Sequence, residues 1–529
     1  MKIIFLTGGV YSSVGKGVML SSIGKVLQFE GFRCNVLKFD PYLNYNSKFL
    51  SPLQHGEVFV TGDGEETDLD LGHYERFLGI KLDTNSCFTT GKIFHRMLEK
   101  ERQGGYGGET VQIVPHLIQE IISRFEYFED KGTEILLVEL GGTVSDLEQK
   151  PFLLAAAQLK AQKKDEDMVF IHIAPVLTLK YNGEKKTKPI QHSISLLKEV
   201  GITPDLLILK GENALSKSEL AKISFNFPAI DEKNILSAPY QLNIYEIPLY
   251  LYREEKLFPR LAELLKLDER HSHSSEELQS WERFSQLIRY PKQHHLKVGI
   301  IGKYSSSLES YYSIIQSLEF ASYELSIDLR IEVVRSESLD SEEKLKGFDV
   351  IVVTPGFGEK SLDGMFLAIK NARENKVPFL GICFGMQLAL IEYYRNVFKL
   401  PDANSLELDP STKFPILVPW SDSKEMRLGD KSVSIVKGTK LEGIYPSSEI
   451  KVRHRNRYIF NKDLAEKQGG LKTSNLVLSA WAESNILEGI ELKDHPFFVA
   501  VQYHPEFHSR PSSPEPLFSE LLKAALKKS

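Results

Sequence analysis

The stretch Lys2-Ile3-Ile4-Phe5-Leu6-Thr7-Gly8-Gly9-Val10-Tyr11-Ser12-Ser13-Val14-Gly15-Lys16-Gly17 decides the fold of the first half of the chain. Residues 2–6 are a short apolar run and read as a buried strand, and residues 19–30 continue with helical spacing. Between them lies a glycine-rich turn. In that order, backbone N–H groups and a helix N-terminus face an anion, and Lys16 adds a point charge for terminal phosphates. The spacing is not that of a Walker A loop. One residue is added between Gly9 and Gly15, and Gly17 stands where Ser or Thr is usual, so a magnesium ion must find its carboxylates elsewhere.

Working outward, residues 34–39, 135–139 and 208–209 read as further strands of a parallel sheet with crossover helices. Near 268–277 the chain turns polar, with Asp-Glu-Arg-His-Ser-His-Ser-Ser-Glu-Glu, and a short helix over 276–288 is expected after it. A second α/β pattern follows, with strands at 297–301, 331–334, 350–353 and 378–382. The expected organisation is an α/β protein of two parallel-sheet domains, residues 1–266 and 297–529, joined by a linker over 267–296. A chain of 529 residues is too long for one core. Its net charge of −6 offers no basic excess for nucleic acid. No run approaches the roughly 20 apolar residues of a membrane helix. Three cysteines, Cys34, Cys87 and Cys383, fit a reducing compartment, so a cytoplasmic location is expected.

Two groups of residues carry chemistry. Asp68 and Asp70 alternate, and in an extended segment they would face one side. For Asp68 a capping role is an equal alternative. Glu139 ends a buried strand just before Gly141-Gly142, where α/β sheets bind ligands. Asp70 and Glu139 could share a hard cation with nucleotide phosphates. In the second half, Gly381-Ile382-Cys383-Phe384-Gly385 follows an apolar strand, which is a nucleophile elbow with sulfur in place of oxygen. The N–H groups that follow can favour a thiolate and hold an oxyanion. Near the end, Gln502-Tyr503-His504-Pro505-Glu506 follows another apolar run. Pro505 biases His504 towards an extended backbone, which would project His504 and Glu506 to one side as base and orienting acid.

The elbow with a late His-x-Glu resembles a triad-type (class I) glutamine amidotransferase domain. The strings TGGVYSSVGKG (7–17), KFDPYLN (38–44), SPLQHGEVFVTGDGEETDLDLGHYERF (51–77) and VELGGTVSDLE (138–148) resemble the synthetase (amidoligase) domain of CTP synthases. That resemblance spans residues 2 to about 507. The stretch KTKPIQHS (186–193) separates the chain from other ligases with a similar phosphate loop, such as cobyrinic acid amidases.

The resemblance implies a two-step reaction. ATP phosphorylates O4 of UTP, and ammonia released from glutamine at Cys383 travels through an internal channel and displaces phosphate at C4. It implies ATP contacts at Ser13, Val14, Gly15, Lys16, Gly17, Val18 and Asp70, with Lys16 and Lys38 serving phosphoryl transfer and Asp70 and Glu139 holding Mg2+. For UTP, and for CTP as feedback inhibitor, it implies Ser12, Asp146, Leu147, Glu148, Lys186, Thr187, Lys188, Pro189, Ile190, Gln191 and Lys222. Lys186 and Lys188 alternate before a proline and so can face one triphosphate. The implied triad is Cys383, His504 and Glu506, with glutamine held by Gly356, Phe384, Gln387, Glu407 and Arg457. The guanidinium of Arg457 suits the substrate carboxylate and Glu407 its ammonium. GTP as activator and a homotetramer are implied too.

The chain departs from the family pattern at several points. Pro355 stands for the first glycine of Pro-Gly-Gly-Phe-Gly, which leaves Gly356 as the oxyanion donor. The lid that serves GTP reads Glu359-Lys360-Ser361-Leu362-Asp363, with lysine where arginine is usual. Residues 45–50, Ser145, the stretch 239–241 and a shortened loop before Met426 also differ. These departures touch regulation and leave the catalytic side chains in place.

Overall fold

The computed structural model describes residues 1–529 apart from 12–13, 180, 182, 241–242, 269, 271–274, 304–307, 422–424, 468–473 and 528–529. It divides into two compact units. The first comprises residues 1–47 and 73–285, the second 48–72 and 286–529.

The first unit is built on β1 (Lys2–Gly8), α1 (Lys16–Phe29), β2 (Cys34–Asp40), α2 (Leu69–Leu78, which begins in the second unit), β3 (Cys87–Thr89), α3 (Thr90–Arg102), β4 (Ile135–Leu140), α4 (Lys150–Gln162), β5 (Met168–Pro175), α5 (Lys188–Glu199), β6 (Leu206–Gly211) and β7 (Ile235–Pro239). Seven strands lie in the order β7-β6-β5-β1-β4-β2-β3, and every pairing is parallel. The central strands are largely apolar, with Glu139 in β4 and His172 in β5 as exceptions, because helices cover both faces and every residue of β4 and β5 is buried. Phe5 of β1 stacks on Phe170 of β5 with ring centroids 5.2 Å apart. All the strands point the same way, so the loops after β1, β2 and β4 gather at one edge.

The second unit begins in the last turn of α6 (Glu276–Arg289) and continues through β8 (His294–Gly302), α7 (Tyr312–Glu324), β9 (Ile327–Arg335), β10 (Val350–Val353), α8 (Asp363–Glu374), β11 (Phe379–Ile382) and α9 (Phe384–Asn396). It is completed by β12 (Arg427–Ile435), β13 (Glu449–Asn456), β14 (Leu476–Ala482), β15 (Ile486–Leu492), β16 (Phe498–Val501) and α10 (Pro516–Leu526). Its largest sheet has nine strands in the order β9-β8-β10-β11-β16-β15-β14-β12-β13. The first five are parallel, as the sequence leads one to expect. The other four extend the sheet antiparallel.

This division differs from the sequence-based one in two places. The helix expected over 276–288 is there as residues 276–289, but it divides between the two units instead of lying in a linker. Residues 48–72, early in the sequence, pack with the second unit. Polar contacts hold that segment there. Glu57 accepts from the Ser313 N–H at 2.9 Å and from the Ser313 hydroxyl. Glu66 pairs with Arg455 at 2.8 Å, and Arg453 Nη1 donates to the Val60 carbonyl at 2.8 Å.

Candidate functional site

In the first unit, β1 runs into the glycine-rich loop and α1 starts at Lys16, with no acidic side chain in its first turn. Its N-terminus therefore stays open to an anion. Lys16 Nζ reaches across to the Gly142 carbonyl at 2.6 Å. The parallel register sets Glu139 of β4 beside Leu6 of β1 and Lys38 of β2. Lys38 is 2% exposed and pairs with Asp40 at 3.2 Å. Glu139 is buried and accepts the Tyr74 hydroxyl at 2.5 Å. The sheet edge thus brings Lys16, Lys38, Glu139 and Gly142 together. Among sequence-based site residues, Ser12 and Ser13 lie outside the described residues, while Val14 is buried beside Gly15, Gly17 and Val18 at the start of α1.

Asp68 and Asp70 are not in an extended segment. Leu69 opens α2, and the Asp70 N–H donates to Asp68 Oδ1 at 3.1 Å, so Asp68 acts as a cap and Asp70 occupies the first helical turn. Asp70 is counted with the second unit and Glu139 with the first. Both offer only carboxylate oxygens, the hard donors that magnesium takes alongside phosphate and water. Among the described residues there is no cluster of three or more His, Cys, Asp or Glu able to hold a metal without a substrate.

For the pyrimidine nucleotide, Asp146 caps the turn after Gly142. Its Oδ2 accepts from the Thr143 N–H at 2.5 Å and its Oδ1 from the Thr143 hydroxyl at 2.9 Å. Leu147 and Glu148 lie in a single helical turn, with Leu147 73% exposed. Lys186 ends a short strand, whereas Lys188 opens α5 with Pro189 at its start, so the two do not alternate along one strand. Lys186 pairs with Glu184 at 2.5 Å. Thr187 precedes α5, Ile190 is buried in it, and Gln191 donates to Asn226 at 3.1 Å. Lys222 is exposed on the helix Lys217–Ser224.

The second unit brings its predicted residues together. Cys383 sits between β11 and α9 with φ 52° and ψ −99°, a strained turn that lifts the sulfur out of the sheet. The glycines on either side are required by close approach. A Cβ on Gly385 would stand 2.3 Å from the Val353 carbonyl oxygen, and one on Gly381 would stand 2.9 Å from the Ala500 Cβ. The neighbouring strand β16 holds the elbow, since the Cys383 N–H donates to the Val501 carbonyl at 2.7 Å. His504 follows β16, and its Nδ1 lies 2.8 Å from Glu506 Oε1. The expected reason for that pairing was wrong. Residues Pro505–His508 form a helical turn instead of continuing extended, and the turn itself carries Glu506 back to the ring. With Nδ1 engaged by Glu506, the other ring nitrogen of His504 is left to exchange protons with Cys383. Burial opposes charge on this ring, but Glu506 and the nearby Cys383 overcome it and raise its pKa to about 10. Phe507 stacks flat on the imidazole, 5.2 Å away at 6°.

The substrate-binding candidates converge on the same place. Gly356, Phe357 and Gly358 form a loop after β10. Glu407 Oε1 accepts from the Gly358 N–H at 3.1 Å and lies 3.9 Å from Arg457, whose guanidinium rests over Phe357. Burial pushes the Glu407 carboxyl up, against the Gly358 N–H, Arg457 and Lys303. Phe384 is buried at the start of α9, and Gln387 lies one turn on. A cavity of about 360 Å³ opens beside the triad, with Glu57, Gly356, Arg455, His504 and Glu506 among its walls. Sequence reasoning missed Lys303, whose Nζ donates to the Phe357 and Gly358 carbonyls, and Gln502, which touches the cysteine sulfur. Gln502 stood inside the motif that pointed to His504. For Lys303 the sequence held no signal.

A cysteine amidase joined in one chain to a phosphate-binding α/β unit defines a glutamine-dependent synthetase. The comparisons make the class particular. The family model for the CTP synthase N-terminus matches residues 2–267, and that for class-I glutamine amidotransferases matches residues 307–524. The chain is 43% identical to the CTP synthase of Carboxydothermus hydrogenoformans, with 99% of each chain covered. It is 40% identical to that of Bacillus subtilis, with 99% of this chain and 98% of the relative covered. A solved Trypanosoma brucei CTPS glutaminase domain with bound acivicin is 32% identical, with 44% of this chain and 95% of that one covered and a TM-score of 0.41. The chain belongs to the CTP synthase family.

Proposed function

We propose that this chain makes CTP from UTP, using ATP and the amide nitrogen of glutamine. The observation that carries the reading is the Cys383 elbow beside the His504–Glu506 pair, in a chain that also carries the Lys16 phosphate loop. In the second unit, the Cys383 thiolate attacks the glutamine amide carbon, and the Gly356 N–H steadies the oxyanion. His504 gives its proton to the departing ammonia, and water then releases glutamate. Gln387, Glu407, Arg457 and Phe384 seat the substrate. In the first unit, Lys16, Lys38 and the loop from Ser13 to Val18 hold the phosphates of ATP, and O4 of UTP takes the terminal phosphoryl group. Ammonia then adds at C4 and phosphate leaves, because phosphate is a far better leaving group than a carbonyl oxygen.

Asp70 and Glu139 would hold Mg2+, which neutralises phosphate charge when bound. Ser12, Asp146 to Glu148, Lys186 to Gln191 and Lys222 are the proposed pyrimidine nucleotide contacts, for UTP as substrate and CTP as inhibitor. GTP activation, a homotetramer and a cytoplasmic location belong to the same reading. No helix among the described residues is long and apolar enough to cross a membrane.

The test is incubation with UTP, ATP, magnesium and glutamine labelled at its amide nitrogen, with and without GTP. CTP labelled at its exocyclic amine supports the reading. Unlabelled glutamate and labelled ammonia without CTP, from folded protein, would reduce it to a glutaminase.

A further inference from the structure

Gln502 links two residues of the glutaminase site. Its Nε2 stands 3.4 Å from Cys383 Sγ, and its Oε1 accepts from Gln387 Nε2 at 3.1 Å. The same Gln387 Nε2 lies 3.4 Å from the Tyr458 carbonyl oxygen. A carbonyl can only accept, so Tyr458 fixes the amide end of Gln387 as the donor. Gln502 must then present oxygen to Gln387 and its NH2 group to the sulfur. Both glutamines are nearly sealed, Gln502 at 1% and Gln387 at 4% exposure, so water does not compete for these groups. The arrangement follows from the fold. Strand β16 pairs with β11 in parallel, Ile382 against Val501, which puts the next residue, Gln502, beside the elbow.

The opposite contact of the sulfur is the Arg455 carbonyl at 3.5 Å, which suits a thiol donor. The two contacts favour opposite states. The carbonyl favours the protonated sulfur, and the Gln502 N–H favours the thiolate. We infer that Gln502 is a further residue of the glutaminase chemistry. It donates to the Cys383 thiolate and aims it, and it connects the nucleophile to Gln387, a proposed seat of the substrate. The inference rests on Cys383 being the nucleophile.

The test is the pH profile of Cys383 alkylation by iodoacetamide, read by mass spectrometry of its peptide, in the full chain and in the uncharged variants Gln502→Met and Gln502→Leu. Melting curves identify the folded variants. Each folded variant is expected to shift its profile to higher pH by about one unit, close to a tenfold loss of reactivity at neutral pH. A purely structural role would leave the profile where it is, and coincident profiles overturn the inference. Should neither variant fold, Gln387→Met frees Gln502 to turn. A shift in the same direction supports the inference, and an unchanged profile overturns it. Failure of the underlying reading looks different, since Cys383→Ala would then still hydrolyse glutamine.

Discussion

Lys303 grips the glycine loop through Phe357, its Nζ donating to the Phe357 carbonyl at 2.7 Å and to the next carbonyl, Gly358, at 2.6 Å. Those two acceptors follow the proposed oxyanion donor directly. Pro355 gives up one N–H of the loop, so the placement of Gly356 depends on how its carbonyls are held. Lys303→Met is expected to lower kcat for glutamine hydrolysis by roughly ten- to a hundredfold, less than loss of a full oxyanion donor commonly costs. Steady-state glutaminase assays measure it. An unchanged kcat would mean that the loop holds itself.

The elbow is expected to tolerate no side chain at Gly385. A Cβ there meets the Val353 carbonyl oxygen of β10, which is fixed in the sheet. Gly385→Ala should destabilise the second unit by about 1–3 kcal/mol or more, seen as a lower melting temperature.

His172 should make the first unit acid-sensitive. It is fully buried in β5 between Thr7 at 2.8 Å and Ser193 at 2.9 Å, and burial, with Lys16 nearby, lowers its pKa from 6.5 to about 3. Between those values the unfolded chain takes up a proton that the folded chain refuses, so stability falls as pH falls. The loss is about 1.4 kcal/mol per pH unit below 6.5, or roughly 2 kcal/mol at pH 5. Urea unfolding at pH 7 and pH 5 should show this drop, and His172→Gln should remove it.

Glu488 is a buried carboxylate held by the Arg427 guanidinium at 2.7 Å and the His454 ring at 2.8 Å. Burial works against its charge, but the two partners prevail and hold the carboxyl below its usual range. Glu488→Ala strands Arg427 in the interior and should cost about 3–5 kcal/mol. Urea unfolding followed on the second unit reads the loss, and a loss below 1 kcal/mol would show that the site takes in water.

The same burial of charge explains what the sequence concealed. Strands β1, β4, β10 and β11 were legible because both faces are covered and their residues are almost all apolar. Strand β5 was not, since His172 interrupts its run. The antiparallel strands β12 and β13 were missed for a stronger reason. Arg427, Arg453 and His454 point inward and are paired with acids, so the segments read as polar surface. At the site, Cys383, His504 and Glu506 announced themselves by spacing, although the turn that joins the last two was expected to be extended. Residues 48–72 were read with the first domain because sequence proximity cannot reveal that Glu57 and Glu66 find their partners more than 250 residues away.

The most direct measurement of the central claim is CTP formation by Cys383→Ala, fed by glutamine in one assay and by ammonium in another. Two separable chemistries in one chain require the glutamine-fed reaction to vanish and the ammonium-fed reaction to persist near the wild-type rate. Glutamine-fed synthesis that survives the substitution would contradict the account, as would loss of both reactions from a folded protein.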